Sequence, residues 1–572
     1  MTSPDDPQYR PSESAESAPP ARPSWRPQPS WQAQPSWELQ HSWDQPVITE
    51  VTPSTGDDEP ATTAPAPYPP AVYSPASYPP AQPTGRRRGN GPWIIATVVA
   101  VLLLMVGAGG VAAYQVLNGG GTQPDQVVPA NAVAFAKLDL NPSASQKIAA
   151  ARFLHRIPKY GSGFGGSGDW RKAIFDALSA GDSLPPGVDY DRDVKPWLGK
   201  RAAVAVLPTL HDGDPEVLLV LQSTDDAKAR AGIARFGSAN GVSFFHGYAV
   251  IGDTQQIADQ AVTDAKAANL AGSANYSADM KRLGSLGISS GWADLGAALK
   301  LAATASRLGM ATTGRLAYTV RMTADSADLI GSFYGLSDSR SAVTAPDLSG
   351  LPADTALAVG VGTDAATIDR AWKRYEDLLT RVNGTLSVPD QSGTAAPDPS
   401  ELVDAMQQEF GIRLPDDLKT LLGTGVTVSV ATEGLTEDKP KFALRSHTDG
   451  AAAVRVMDHI RQAVQEQGGD FPVEYRATSD GLIVGNDPDY LASVSSGGGA
   501  RLSSSAAFRR ALPDRTGAAY TAFVNLDAVA SGMRASGASQ DELRVISAFS
   551  AAGVTLRTTG STANLHIRLL AH

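Results

Sequence analysis

The chain has 572 residues, a net charge of −11 and no cysteine. Disulfides, thiolate zinc sites and cysteine catalysis are therefore excluded, and stability has to come from buried apolar surface. The charge is dispersed, −4 over residues 1–92 and −7 over the remainder, with no basic stripe, so nucleic acid is not expected as a partner.

Residues 1–92 hold no lysine and almost no aliphatic runs, so they lack the material for a core. Trp25, Trp31, Trp37 and Trp43 recur at six-residue intervals, and Tyr68, Tyr73 and Tyr78 sit beside prolines. Proline fixes φ and removes donors, so the composition predicts a disordered, Pro-rich tail with polyproline-II character. Such a tail is either a solvated spacer or a ligand whose aromatics anchor a cytoplasmic partner.

Trp93 to Leu117 is a run of 25 residues without charge or proline, preceded by Arg86-Arg87-Arg88. At about 1.5 Å per residue a helix of this length crosses a hydrocarbon core roughly 30 Å thick and contacts membrane lipid. The arginines hold their side in the cytoplasm, which predicts a single-pass protein of the cell membrane, N-terminus inside and C-terminal region extracytoplasmic. A leader cut after Val111-Ala112-Ala113 fits the small residues but not the 92 residues in front of the run.

Beyond Gly119-Gly120-Gly121 the sequence repeats itself. Pro129–Phe135 (PANAVAF) matches Pro352–Ala358 (PADTALA), and Asp193-Val194-Lys195 before Leu198-Gly199 matches Asp417-Leu418-Lys419 before Leu422-Gly423. The series continues with 219–229 and 443–453, 248–253 and 481–486, 291–297 and 522–528, and Thr319–Arg321 and Thr555–Arg557. The offsets, 223, 224, 224, 233, 231 and 236, keep chain order. This predicts two tandem homologous lobes, 127–340 and 351–572, side by side with at most a sheet edge in common, each around its own core and with extra length placed in loops; the alternative is one large domain whose strands interleave.

Each copy reads strand, helix, loop, helix, two strands, helix, paired strands, helix, strand, helix and a closing hairpin. Over 364–382, Ile368, Trp372, Tyr375, Leu379 and Val382 mark one helical face. Alternation over 554–570 marks the last hairpin. Strands in adjacent hairpins mixed with helices make the fold class α+β with mainly antiparallel sheets.

The stretches VPANAVAFAKLDLNPSASQKIAAARFLHRIPKY, DVKPWLGKRAAVAVLP and FFHGYAVIGD resemble a family of actinobacterial and cyanobacterial membrane-anchored proteins, catalogued as domain of unknown function 3352. The likeness covers most of the outer part and is stronger in the first copy. It implies an envelope protein and supplies no activity, substrate or catalytic residue.

Motifs with chemical meaning give way to structural readings. Gly161–Gly166 satisfies G-x-G-x-x-G, but a helical segment precedes it where a dinucleotide site needs a strand. Gly287–Gly291 matches G-x-S-x-G, yet Ser289 stands before a strand rather than at its end. Asp189, Asp191 and Asp193 have the spacing of a calcium loop, but Val194 and Lys200 occupy its glycine and glutamate positions. Asp193 and its partner Asp417 read as helix-start residues that accept backbone N–H bonds. His155, His211, His246, His447, His459 and His566 form no pair at ligand spacing. No catalytic, cofactor-binding or metal-binding residue is nominated and no cofactor is expected.

The reading is a non-enzymatic, membrane-anchored cell-envelope protein whose duplicated extracytoplasmic region binds or scaffolds an envelope ligand or protein. A cleft between the two lobes is the natural place for a site. The alternatives are an extracytoplasmic hydrolase, or an adaptor that links a cytoplasmic partner through the Pro-rich tail. Protease added to cells stripped of their wall should degrade residues after about 118 and spare residues 1–92. The opposite pattern would invert the topology.

Overall fold

The computed structural model describes residues 122–572 apart from 143, 158–168, 180–183, 186, 212, 238–239, 302–312, 337–342, 387–398, 437–439 and 497. The tail 1–92, the apolar run 93–117 and the Gly161–Gly166 motif lie outside the described residues. Among the described residues no helix is long and apolar enough to cross a membrane.

The fold is α+β, with many helices around one large antiparallel sheet. In the first half the strands are β1 (Ala134–Asp139), β2 (Leu198–His211), β3 (Asp214–Ser223), β4 (Gly241–Phe245), β5 (Tyr248–Gly252), β6 (Ser289–Asp294), β7 (Arg315–Met322) and β8 (Ser326–Tyr334). In the second half they are β9 (Thr355–Gly362), β10 (Gly425–Ala431), β11 (Phe442–His447), β12 (Glu474–Thr478), β13 (Gly481–Gly485), β14 (Tyr520–Asn525), β15 (Phe549–Thr559) and β16 (Thr562–Ala571). The order of strands is the expected one; one helix more follows each pair β4–β5 and β12–β13, and the second half adds a third helix, Asp416–Leu422, between β9 and β10 and a second, Gln540–Ile546, between β14 and β15.

The halves were expected side by side with at most a sheet edge in common, and the strands form one sixteen-stranded sheet, in the order β12-β13-β11-β10-β9-β14-β15-β16-β8-β7-β6-β1-β2-β3-β5-β4. Read inward from either end, the strands come in the same order. The join is β8 against β16, antiparallel, with Ile330 opposite His566 at the middle of the pairing. An edge strand exposes unpaired N–H and C=O groups, and here each half satisfies the other's. The two outer edges, β4 and β12, are five residues each.

The register carries the offsets read from the sequence, except in one strand. Leu219 lies opposite Val204 and Leu444 opposite Val428, so β3 and β11 correspond at 225 rather than 224. The caps of the following helices, Asp225 and Asp449, stay at 224. A bulge between Leu198 and Ala202 in β2 lies beside this slip. A one-residue slip exchanges the faces of a strand, so the sequence match had set an outward side chain against an inward one.

On one face, helices Gln255–Ala267 and Ala274–Leu283 cover the first half and helices Pro488–Ser496 and Ala506–Ala511 the second. Tyr276 and Trp292 meet edge to face at 5.9 Å and 80°; Phe508 and Phe523 do so at 5.2 Å and 79°. On the other face, Trp197, Tyr190, Ile233 and Ile251 form a second core in the first half. The expectation of unshared cores fails at one place. Phe153, Trp170 and Met322 of the first half pack with Ala548, Phe549 and Leu569 of the second, because the β8–β16 join brings both against one helical layer. Helix Ala365–Leu386 runs four residues past its expected end; Ile368 is buried, but Tyr375, expected on the same apolar face, is exposed.

Asp193 and Asp417 differ in detail from the expected caps. Each is buried and reaches back four residues, Asp193 Oδ2 accepting from Asp189 N at 2.9 Å and Asp417 Oδ2 from Arg413 N at 2.6 Å. The cap itself is Asp189, which accepts from Arg192 N at 2.8 Å ahead of the π-helical turn Tyr190–Val194. The Arg192 side chain, together with the Asp189 N–H, holds the Asp193 carboxyl down at about 2. Converting Asp193 or Asp417 to alanine orphans a backbone donor and is expected to cost about 1–3 kcal/mol in urea unfolding. Asp193's share is complete above the unfolded carboxyl value of about 3.9 and fades as pH falls toward 2. An unchanged urea midpoint in both variants would refute this role.

At the join, Asp328 is 3% exposed and accepts from His566 Nε2 at 2.7 Å, from Ser326 Oγ at 3.0 Å and from Arg568 Nε. Burial pushes its carboxyl up, but the bonds from His566 and Arg568 outweigh that and hold it below the ordinary range. Asp328→Ala should cost about 3 kcal/mol, the low end for a broken buried pair because His566 and Arg568 both keep some water. Its contribution is present above about pH 4 and lost as pH falls, so acid should narrow the gap between wild type and variant. A gap that widens in acid would show that Asp328 is neutral in the fold.

Candidate functional site

A polar cleft of about 420 Å³ opens at the ends of β1, β2 and β6. It lies within the first half and not between the halves, which are joined by strand pairing. Strand alternation sends Lys137 and Asp139 to the same face of β1, and antiparallel register puts Arg201 of β2 directly opposite Asp139. The far wall is the 3₁₀ turn Pro124–Gln126, and the end wall is formed by Lys281 and the loop Gly284–Ile288.

Each charged group is placed by a named partner. Asp125 is buried, accepts the Tyr276 hydroxyl at 2.7 Å and stands 3.8 Å from Lys137 Nζ. Burial, with the neighbouring Asp125 charge, pushes the Tyr276 phenol far above its ordinary value, so it remains a donor. Arg201 Nη1 donates to Thr122 O at 3.1 Å and the Tyr248 hydroxyl to the same oxygen at 2.8 Å, which fixes the incoming chain. Asp139 accepts from Asn141 N at 2.9 Å. Burial raises its carboxyl despite that bond and the nearby charges of Arg201, Lys147 and Lys200. The end loop is held by Arg321, which donates to Ser285 O, and by Gly287 N donating to Thr319 Oγ1 at 2.7 Å.

At offsets of 223 and 224 the second half has Gly360, Gly362 and Gly425 where the first has Lys137, Asp139 and Arg201, and Gly362 again lies opposite Gly425. There the incoming chain lies directly on the sheet. A Cβ on Gly362 would come within 2.6 Å of the Thr344 backbone, and one on Gly425 within 2.9 Å of Pro346 Cδ. Three side chains in the first half thus prop open a space that three glycines close in the second.

The residues singled out from the sequence are not brought together here. Asp189 and Asp193 serve their own turn, and Asp191 pairs with Lys195 at 2.5 Å. Ser289 begins β6 and is buried, at a strand start rather than at the strand end a nucleophile elbow needs. His246 takes φ +49° beside Gly247 at φ +77° in the β4–β5 turn, a conformation that sets both residues in the left-handed region. His447 lies 3.4 Å from Asp480 and His566 belongs to the join. Among the described residues no group of three or more histidine, aspartate or glutamate side chains has the arrangement of a metal site. Lys137, Asp139, Arg201, Asp125 and Tyr276 do not stand out in the sequence, because the matched segments of the repeat point to shared structure and not to what differs between the copies. The mismatches, AKLD against VGVG, carried the signal.

No curated protein and no solved structure matches the chain. A family model described as a protein of unknown function, DUF3352, matches residues 95–278, a segment that contains Asp125, Lys137, Asp139, Arg201 and Tyr276 of the cleft.

Proposed function

We propose that this chain is a membrane-anchored cell-envelope protein of two tandem homologous lobes. The first lobe binds an anionic ligand in the polar cleft, and the second serves as its structural support. The mirrored strand order, the shared register offsets and the paired edge-to-face rings support the duplication. The family match begins at residue 95, inside the apolar run, and so joins that run to the folded part. With the anchor ending at Leu117, the five residues to Thr122 span at most about 18 Å, which keeps the cleft close to the bilayer surface.

One observation carries the binding reading: charge is kept at cleft positions where the other copy has glycine. Three cations, Lys137, Arg201 and Lys281, face two carboxylates there, one of them Asp139 with its acidity weakened by burial. That is a locally positive site in a region of negative net charge, which draws anions toward it. A hydrolase reading is favoured only by Asp125 and Asp139 sharing the cleft, and Asp125 is already engaged by Tyr276 and Lys137.

The full chain in detergent should bind pyrophosphate by calorimetry, more weakly as salt rises. Arg201→Gln and Lys137→Gln should each weaken binding about tenfold or more, the usual worth of a charge-assisted bond, with little change in melting temperature. No binding by the wild type, or binding by both variants as tight as the wild type's, would end the reading.

A further inference from the structure

On the sheet face opposite the polar cleft, an apolar cavity of about 160 Å³ lies between β1, β2, β3 and β5 and the helix Trp170–Ser179. Leu138, Ala202, Leu219 and Leu221 form its floor, and Ile174 and Phe175 part of its roof. Protein interiors are packed to the density of organic crystals, and a space this size forfeits contacts that a filled core would make. Apolar cavities of comparable volume stay dry and admit a benzene-sized molecule.

One side chain in the wall does not belong in an apolar lining. Asn240, just before β4, has both Nδ2 and Oδ1 buried, and neither makes a hydrogen bond among the described residues. Buried amide groups are nearly always satisfied, and one left orphaned costs the desolvation of its donor and its acceptor. At the β4–β12 offset of 233 the second half has Val473 in this place, so the fold does not require an amide there. The other polar groups in the wall are spent, and Trp197 Nε1 donates to Asp193 O at 2.6 Å. Arg171 donates Nε and Nη2 to Asp169, each at 2.9 Å, and Nη1 to Leu198 O. Asp169 also accepts the Tyr190 hydroxyl at 2.6 Å, and its carboxyl is held down at about 2. Among the described residues the cavity therefore offers a ligand no free charge, only hydrocarbon and one amide.

We propose that this cavity binds an uncharged hydrophobic group bearing a single hydroxyl, which accepts from Asn240 Nδ2 and donates to Asn240 Oδ1. A hydroxyl meets both unmet needs of the amide at once, whereas a carbonyl could meet only the donor. A carboxylate is disfavoured, because its charge would be buried without a counter-ion.

The test uses 4-fluorobenzyl alcohol and 4-fluorotoluene, which share a body and differ by the hydroxyl, against the full chain in lipid nanodiscs. Fluorine NMR titration is compared with the same discs carrying Leu221→Trp, which fills the cavity, so that partition into lipid cancels. The alcohol is expected to bind about tenfold more tightly than the toluene, the worth of one or two neutral hydrogen bonds. Asn240→Val, the residue of the second half, should abolish that preference while leaving the toluene in place. Far-UV circular dichroism and the melting temperature of each variant show whether it folds, and Ala202→Leu is a milder filling variant should Leu221→Trp not fold. Binding that survives in the filled variants, no preference for the alcohol, or a preference that survives Asn240→Val would overturn the proposal.

Discussion

The β8–β16 pairing is the constraint from which the rest of the structure follows. Without it each half would be an eight-stranded sheet ending in a bare strand, with Phe549 and Leu569 on one side of the gap and Phe153 and Met322 on the other. Burying side chains of this size is worth about 1.5–3 kcal/mol each, so the apolar part of the join alone is substantial. The ionic part adds direction. Asp328 finds His566 and Arg568 only when the strands are in this register, and a slip of one residue would turn it toward the apolar layer. Hydrophobic contact therefore holds the join and the buried carboxylate sets its register.

That rigid frame explains how a charged cleft survives beside a core. Lys137 and Asp139 share a strand face with Phe135, which packs against Tyr276 at 5.8 Å. The same Tyr276 turns its hydroxyl to Asp125, so one side chain closes the core and opens the cleft. In the second half Phe508 keeps the packing and has no hydroxyl to offer. The difference between the halves is thus an oxygen on one ring and three side chains in place of hydrogen, set on an otherwise parallel framework.

Much of this framework was legible from residues alone. The α+β class, the order of the strands and the last hairpin follow from periodicity and from the matched segments, because strand and helix periods are local. Which strands make the shared edge was not legible, since β8 and β16 present ordinary alternation and nothing in Ser326–Tyr334 names its neighbour. Nor was the slip in β3, where Leu219 and Ala443 match in sequence but face opposite ways. The cleft was hidden for a different reason. Lys137, Asp139 and Arg201 are single charges spread over 65 positions of sequence, and only strand register makes them neighbours.

The two remaining edges bear on how the molecule meets copies of itself. Because β8 and β16 pair antiparallel about Ile330 and His566, the join is of the isologous kind, which consumes both surfaces that make it. What is left at the rims is β4 and β12, equivalent ends rather than a complementary head and tail. Both are short, and β12 carries Glu474 and Arg476 exposed along its length. Short rims are poor templates for a further strand, and on β12 the exposed charges add to this, whereas β4 carries none. Such a plate terminates instead of propagating, so crowding many copies on a surface would not zip them into a filament.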